Sequence, residues 1–170
     1  MYVIRSVVRG IDNLNERLGK LFSWTILTLM FFTCYEVFTR RVLGAPTIWS
    51  LEMSMFFACG VCMLALGYTQ LHKEHVNVDL FYINFSPKTK AVCNIITYLL
   101  FLGLFSLILL VYGWFFFWDS WSIGERTPSA FYAIKYPSKL MVFLGAFLLF
   151  IQGMSDFIRD VVYLVKGERL

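Results

Sequence analysis

The sequence predicts an all-α integral membrane protein that has four transmembrane helices and an amphipathic, interfacial helix at its amino terminus. Of its 170 residues, 59% are hydrophobic and 15% are charged, and the mean hydropathy is +0.68. The core of a soluble protein of this size could not bury so much apolar surface. The charged residues also lie in clusters between four long apolar runs, as expected for helices that cross a bilayer.

We expect a single membrane domain that covers residues 1–170. Its predicted segments are an interfacial helix at 1–20, transmembrane helices at 21–42, 50–71, 91–118 and 139–157, and a loop on the outer side of the membrane at 119–138. The clusters between the apolar runs give a formal net charge of +4. This distribution favours contacts with anionic membrane lipids and argues against binding of nucleic acid.

The amino-terminal segment has apolar residues at helical spacing, among them Val8, Ile11 and Leu18. Charged residues such as Arg5 and Asp12 fall on other faces of the same helix. This pattern is typical of a helix that lies in the plane of the membrane. The alternative is a water-exposed extension of the first transmembrane helix.

The first span contains an ionisable residue near its end. Glu36 precedes Arg40 by about one helical turn, in the order that favours an i,i+4 ion pair. We therefore interpret the pair as structural, although a carboxylate at this depth can also serve as a proton or ion relay. Gly44 and Pro46 are expected to end the helix.

The uncharged run at 53–71 forms the second span, and Trp49 is its predicted interface anchor. Glu52 is expected to cap this helix, because a carboxylate in the first turn faces the positive end of the helix dipole. Cys59 and Cys62 have a CxxC spacing, but a thiolate would be poorly stabilised inside a bilayer. We interpret the two cysteines as small residues that allow close helix packing.

Three potential metal ligands follow the second span. His72, His75 and Asp79 would share one face of a helix. A dedicated metal site would need a further ligand, which the neighbouring sequence does not supply. We therefore predict no metal site and interpret this segment as a polar connection at the membrane interface.

The third span is the longest, because the uncharged run at 91–118 exceeds the hydrocarbon thickness of a bilayer. This helix should therefore tilt or protrude. In the fourth span, Gly145 and Ala146 offer a surface for close helix packing. An amphipathic tail is expected to continue that helix.

The loop at 119–138 is the most elaborate connection of the chain. Loops of this kind often carry binding surfaces. It is a candidate docking site for a soluble partner, with Glu125 and Arg126 as the predicted contacts.

Lysine and arginine residues set the expected orientation. The amino-terminal segment, the second connection and the carboxy-terminal tail together carry ten, whereas the first and third connections carry five. By the positive-inside rule, both termini are expected in the cytoplasm.

The sequence does not favour an enzyme. Ionisable residues occur at helix ends, and the chain has no zinc-protease, serine-hydrolase or phosphate-binding motif. Paired repeats with broken helices, which are typical of complete transporters, are also not evident.

We expect a non-catalytic accessory subunit without a cofactor or a substrate site. The alternatives are the membrane anchor subunit of a redox enzyme complex, with His72 and His75 as candidate cofactor ligands, and a homo-oligomeric channel.

One series of residues resembles a known family. The series consists of charged and aromatic residues at the ends of the spans, namely Glu36, Arg40, Trp49, Glu52, His75 and Asp79. Their order, with HVNVD at 75–79, is similar to the small membrane subunit of tripartite ATP-independent periplasmic (TRAP) transporters, the DctQ type. The resemblance covers nearly the whole chain, and YPSK at 136–139 resembles one branch of that family.

The resemblance implies a scaffold for a large membrane subunit, whose moving elevator domain carries the sodium and substrate sites. A periplasmic binding protein would deliver a small organic anion, and an ion gradient would drive its uptake. The resemblance also implies the inner membrane of a bacterium or an archaeon. The six residues of the series are then expected to be structural or to contact a partner subunit.

Overall fold

A computed structural model describes residues 2–73 and 86–167 of the chain. Within these residues, four helices are long and apolar enough to cross a membrane: Arg5–Val42, Ser50–Leu71, Pro87–Ser122 and Tyr136–Lys166. The structure therefore confirms the predicted all-α membrane fold with four spans.

Six α-helices make up these spans, and we number them in chain order within the described residues. They are α1 (Tyr2–Val42), α2 (Ser50–Leu64), α3 (Leu66–Leu71), α4 (Pro87–Thr97), α5 (Gly103–Ser122) and α6 (Tyr136–Lys166). Only Ala65 separates α2 from α3, so these two helices form one span. A π-helical turn, Tyr98–Leu102, joins α4 to α5 in the third span.

Local sequence explains where helices begin and end. Gly44 has a φ of +62°, which glycine adopts without strain, and it follows the end of α1 shortly before Pro46. At the start of α4, the hydroxyl of Ser86 accepts a hydrogen bond from the backbone N–H of Thr89. Pro87 then occupies the first helical turn, where its missing N–H costs no hydrogen bond.

α6 is the central helix of the bundle, because it contacts each of the other described helices. Small residues allow these helices to approach closely. A Cβ atom at Gly145 would overlap the backbone carbonyl of Met63, and Ala146 is completely buried. A Cβ atom at Gly67 would overlap the side chain of Asn15 in α1. The close packing expected at Gly145 and Ala146 is therefore confirmed.

The amino-terminal segment differs from the expected arrangement, because α1 runs from Tyr2 to Val42 without a break. We had expected an interfacial helix at 1–20 and a separate span at 21–42. Instead, buried Asn15 meets α6, and a Cβ atom at Gly19 would overlap a side chain of α3. Protein neighbours thus cover one face of this segment, which is continuous with the first span, and its position in the plane of the membrane stays a prediction.

The third and fourth helices are longer than predicted. The third covers Pro87–Ser122 rather than 91–118, and Tyr136–Lys166 contains both the fourth span and its expected amphipathic tail. The loop between them is accordingly reduced to residues 123–135. Pro87 and Pro137 lie in the additional first turns, where proline is tolerated because its missing N–H would have no partner within the helix.

Replacing Gly145 by alanine should destabilise the bundle, because the new methyl group must push α6 away from the α2 backbone. The expected cost is about 1–3 kcal/mol, measured as a lower midpoint of thermal unfolding in detergent. Gly10→Ala is the matched control, because no atom from another part of the chain lies within 4 Å of its Cβ position. Equal midpoints for the two variants would contradict the importance of this contact.

Candidate functional site

The ion pairs of the described residues lie at the two ends of the bundle. One end carries the connections at 43–49 and 123–135, and we call it the loop end. The other end carries the first turns of α1 and the last turns of α6, and we call it the terminal end. Each end has its own network of polar side chains.

At the loop end, Glu36 links α1 to the turn that follows it. The guanidinium of Arg40 donates to the Glu36 carboxylate at 2.8 Å, and the backbone N–H of Thr47 donates at 3.3 Å. The hydroxyl of Thr47 donates to the same carboxylate. The predicted i,i+4 ion pair is therefore present, and these partners support the structural interpretation of Glu36 over an ion relay.

Trp49 fastens the start of α2 to α1. Its ring stacks on Tyr35 with 5.9 Å between the ring centroids, and it meets Phe32 edge to face at 5.7 Å. The hydroxyl of Ser50 also donates to the backbone carbonyl of Phe32, at 3.2 Å. The residue that we predicted as an interface anchor thus takes part in helix packing.

Glu52 lies in the first turn of α2, the position from which a carboxylate faces the positive end of the helix dipole. Its carboxylate also accepts hydrogen bonds from the hydroxyl of Thr127, at 3.0 Å, and from the hydroxyl of Ser129. These donors reach Glu52 because the loop at 123–135 folds against the start of α2. Glu52 therefore positions this loop.

Glu125 connects the same loop to the start of α6. Its carboxylate pairs with the ammonium of Lys135 at 3.4 Å and with that of Lys139. The hydrogen bond from Lys139 lowers the pKa of the Glu125 carboxyl from 4.5 to about 2, so the group is ionised at neutral pH. Any stability that these pairs contribute is present above pH 4.5 and is lost as the pH falls towards about 2.

Arg126 differs from Glu125, because its side chain stays on the surface of the loop. Its guanidinium lies 5.4 Å from the centroid of the Tyr132 ring, a cation–π contact. Tyr132 has a φ of +55° and is 61% exposed. An isolated antiparallel β-bridge between Arg126 and Ile134 joins the two sides of the loop. Of the two predicted docking residues, Glu125 is paired with lysines of the protein, whereas Arg126 is exposed on the surface.

A groove of about 630 Å³ lies between this loop and the first half of α2. Its walls are mainly apolar, with Met53 and Phe56 on the helix and Phe131 and Ile134 on the loop. Glu52 lies at its edge. A groove of this size and character could accept an apolar group of a partner molecule.

His75 and Asp79 lie outside the described residues, so the structure does not place them. His72 is at the terminal end, where its Nε2 atom lies 2.9 Å from the Glu16 carboxylate. Its ring also packs against Tyr68, with 4.4 Å between centroids. In residues 2–73 and 86–167, no group of three or more His, Cys, Asp or Glu side chains is arranged to hold a metal ion.

A polar network at the terminal end was not predicted from the sequence. It joins α1, α3 and α6 through six side chains: Asp12, Asn15, Gln70, Gln152, Asp156 and Arg159. The amide of Asn15 donates to Gln152 at 2.7 Å, and Gln152 donates to Asp12 at 3.0 Å. Arg159 bridges Asp12 and Asp156, and Gln70 donates to Asp156 at 3.0 Å.

One sequence signal could have indicated this network. Asn15 lies between Ile11 and Leu18 on the apolar face of α1, at spacings of four and three residues. A polar residue in that position costs free energy unless it finds a hydrogen-bond partner in the interior. Its partner Gln152 lies 137 residues further along the chain, which the local pattern does not reveal.

Replacing Glu52 by alanine should loosen the loop at 123–135, because Thr127 and Ser129 lose their acceptor. Hydrogen exchange should become faster at the backbone N–H of Thr127, which bonds the carbonyl of Ala133 at 2.8 Å. Exchange within α6 should stay unchanged. Asp119→Ala removes an exposed carboxylate at the same end and serves as the control; the same acceleration in that variant would contradict the assigned role.

Comparison with known proteins identifies the family. The profile of the family described as "Tripartite ATP-independent periplasmic transporters, DctQ component" matches residues 29–162, which is more than half of the chain. No curated protein and no solved structure matches the chain. The sequence resemblance noted above and this match agree, and the chain belongs to the DctQ family, the small membrane component of TRAP transporters.

Proposed function

We propose that the chain is the non-catalytic scaffold subunit of a secondary active TRAP transporter. It supports a large, elevator-type membrane subunit in the sodium-driven uptake of a small organic anion. A periplasmic binding protein delivers that anion. The family match over residues 29–162 carries the proposal, and it does not favour an anchor subunit of a redox enzyme complex.

The outer faces of the bundle support a position beside a large membrane partner. Trp24 on α1, Phe101 in the π-helical turn and Tyr112 on α5 are each 70% exposed. Extensive apolar surface of this kind requires lipid or another protein to cover it. A scaffold uses one such face for its partner and leaves the others to lipid.

The interior of the bundle supports a scaffold rather than a moving carrier. Where α6 passes α2, Gly145 lies against the backbone of Met63, and Gly67 lies against the side chain of Asn15 in α1. Closely packed interiors resist gradual deformation. The polar side chains at both ends add further links between the helices.

We assign the loop end to the periplasm and the terminal end to the cytoplasm, on the inner membrane of a bacterium or an archaeon. The lysine and arginine distribution, ten against five, supports this orientation. The loop at 123–135 then faces the binding protein, and the exposed side chains of Arg126 and Tyr132 are available for contact with it. His75 and Asp79 remain predicted contacts with the large subunit.

Reconstitution tests the proposed function. The chain alone in proteoliposomes should take up no organic anion, whereas the chain with its large subunit and binding protein should show uptake that depends on a sodium gradient. The large subunit should also co-purify with the chain. Uptake by the chain alone, or a stable complex with a redox enzyme instead, would contradict the proposal.

Arg126→Glu should reduce uptake at least several-fold, because it reverses the charge of the displayed residue in the proposed docking surface. The affinity between the binding protein and the membrane complex should fall in parallel, and Arg126→Lys should restore part of it. Arg41→Glu makes the same change elsewhere at the loop end and is the control. Unchanged affinity in Arg126→Glu would exclude this docking surface.

A further inference from the structure

A polar recess lies on the exposed side of α1 close to its amino terminus. Its volume is about 340 Å³, and its lining consists of Arg5, Ser6, Arg9, Gly10 and Asn13. The space above Gly10 is open, because a Cβ atom there would meet no atom of another part of the chain within 4 Å. Four side chains that can donate hydrogen bonds therefore surround one open space.

Positive charge in this recess is not neutralised by the protein residues that the structure describes. Among them, neither Arg5 nor Arg9 has a carboxylate partner, whereas Arg40 and Arg159 do. Two like charges one helical turn apart disfavour each other. An anion between them removes this repulsion, and guanidinium groups bind phosphate oxygens with two parallel hydrogen bonds.

The position of the recess places it close to the membrane surface. Further along α1, Glu16 contacts His72, which directly follows the end of the second span. Arg9 precedes Glu16 by two helical turns, a rise of about 10 Å. The recess thus lies on the water side of the bilayer boundary, and the long side chains of Arg5 and Arg9 can extend back to the lipid headgroups.

An apolar stripe runs along α1 beside the recess and continues into the span. Val7, Leu14 and Leu21 recur every seven residues, and they are 52%, 43% and 62% exposed. The buried face of α1, with Val8 and Asn15, is a different face. An exposed apolar stripe that ends beside a cationic recess matches a molecule with hydrocarbon chains and an anionic headgroup. A free phosphate ion would use only the recess.

We propose that this recess binds the phosphate of an anionic phospholipid, such as phosphatidylglycerol, from the leaflet at the terminal end. Arg5 and Arg9 contact the phosphate oxygens, and Ser6 and Asn13 donate to the remaining acceptors of the headgroup. The acyl chains follow the stripe of Val7, Leu14 and Leu21. This site does not depend on the proposed transport function.

Native mass spectrometry of the full chain, titrated with dioleoylphosphatidylglycerol in detergent, tests the site. The double variant Arg5→Gln/Arg9→Gln should bind this lipid roughly 30-fold more weakly than the wild type, since each basic residue at a membrane surface contributes about fivefold. Both residues are exposed, so the variant is expected to fold. Lys88→Gln/Lys166→Gln removes two charges from the same end and should bind like the wild type.

Two ligand controls separate the possible sources of the phosphate. Dioleoylphosphatidylcholine should bind weakly to the wild type and to both variants, and excess inorganic phosphate should not displace phosphatidylglycerol. Unchanged lipid affinity in the arginine variant would overturn the proposal, as would an equal loss in the lysine variant. Displacement by inorganic phosphate would show a general anion site instead and would also overturn it.

Discussion

The contact between α6 and the α2–α3 span is the constraint on which the rest of the bundle depends. Gly145 brings α6 against the carbonyl of Met63, so any larger residue would separate the two helices. In a bilayer, helix association gains little from the hydrophobic effect and relies on close packing and polar contacts. Because α6 contacts all the other described helices, this approach also sets the positions of α1, α4 and α5 around it.

Polar side chains add further contacts between the helices, and these contacts lie at the two ends of the bundle. At the loop end, Glu36 holds a turn, and Glu52 and Glu125 hold one loop against two helices. At the terminal end, Arg159 and its partners join α1 to α6. Ionisable groups are costly in the hydrocarbon region and find water or partners at its boundary. This arrangement leaves the middle of the bundle to small and apolar side chains, which suits the proposed supporting role.

Contacts within one or two helical turns could be predicted from the sequence, whereas contacts between distant segments could not. The Glu36–Arg40 pair follows from its i,i+4 spacing, and Gly145 and Ala146 are recognisable as packing residues. Glu52 was expected to act on its own helix, but its partner Thr127 is 75 residues away. The pattern of α1 is also ambiguous, because an apolar helix face looks the same in sequence whether lipid or protein covers it. That ambiguity explains why the contacts of the amino-terminal segment with α3 and α6 were not predicted.

A scaffold held together by α6 should keep its shape while a partner moves beside it. Electron–electron distance measurements in the reconstituted complex test this most directly, with spin labels at Met55→Cys on α2 and Phe105→Cys on α5 in a cysteine-free background. Both positions are exposed and belong to different neighbours of α6. The account predicts one narrow distance distribution that is the same with and without sodium and substrate. A second distance that appears when sodium and substrate are added would contradict it.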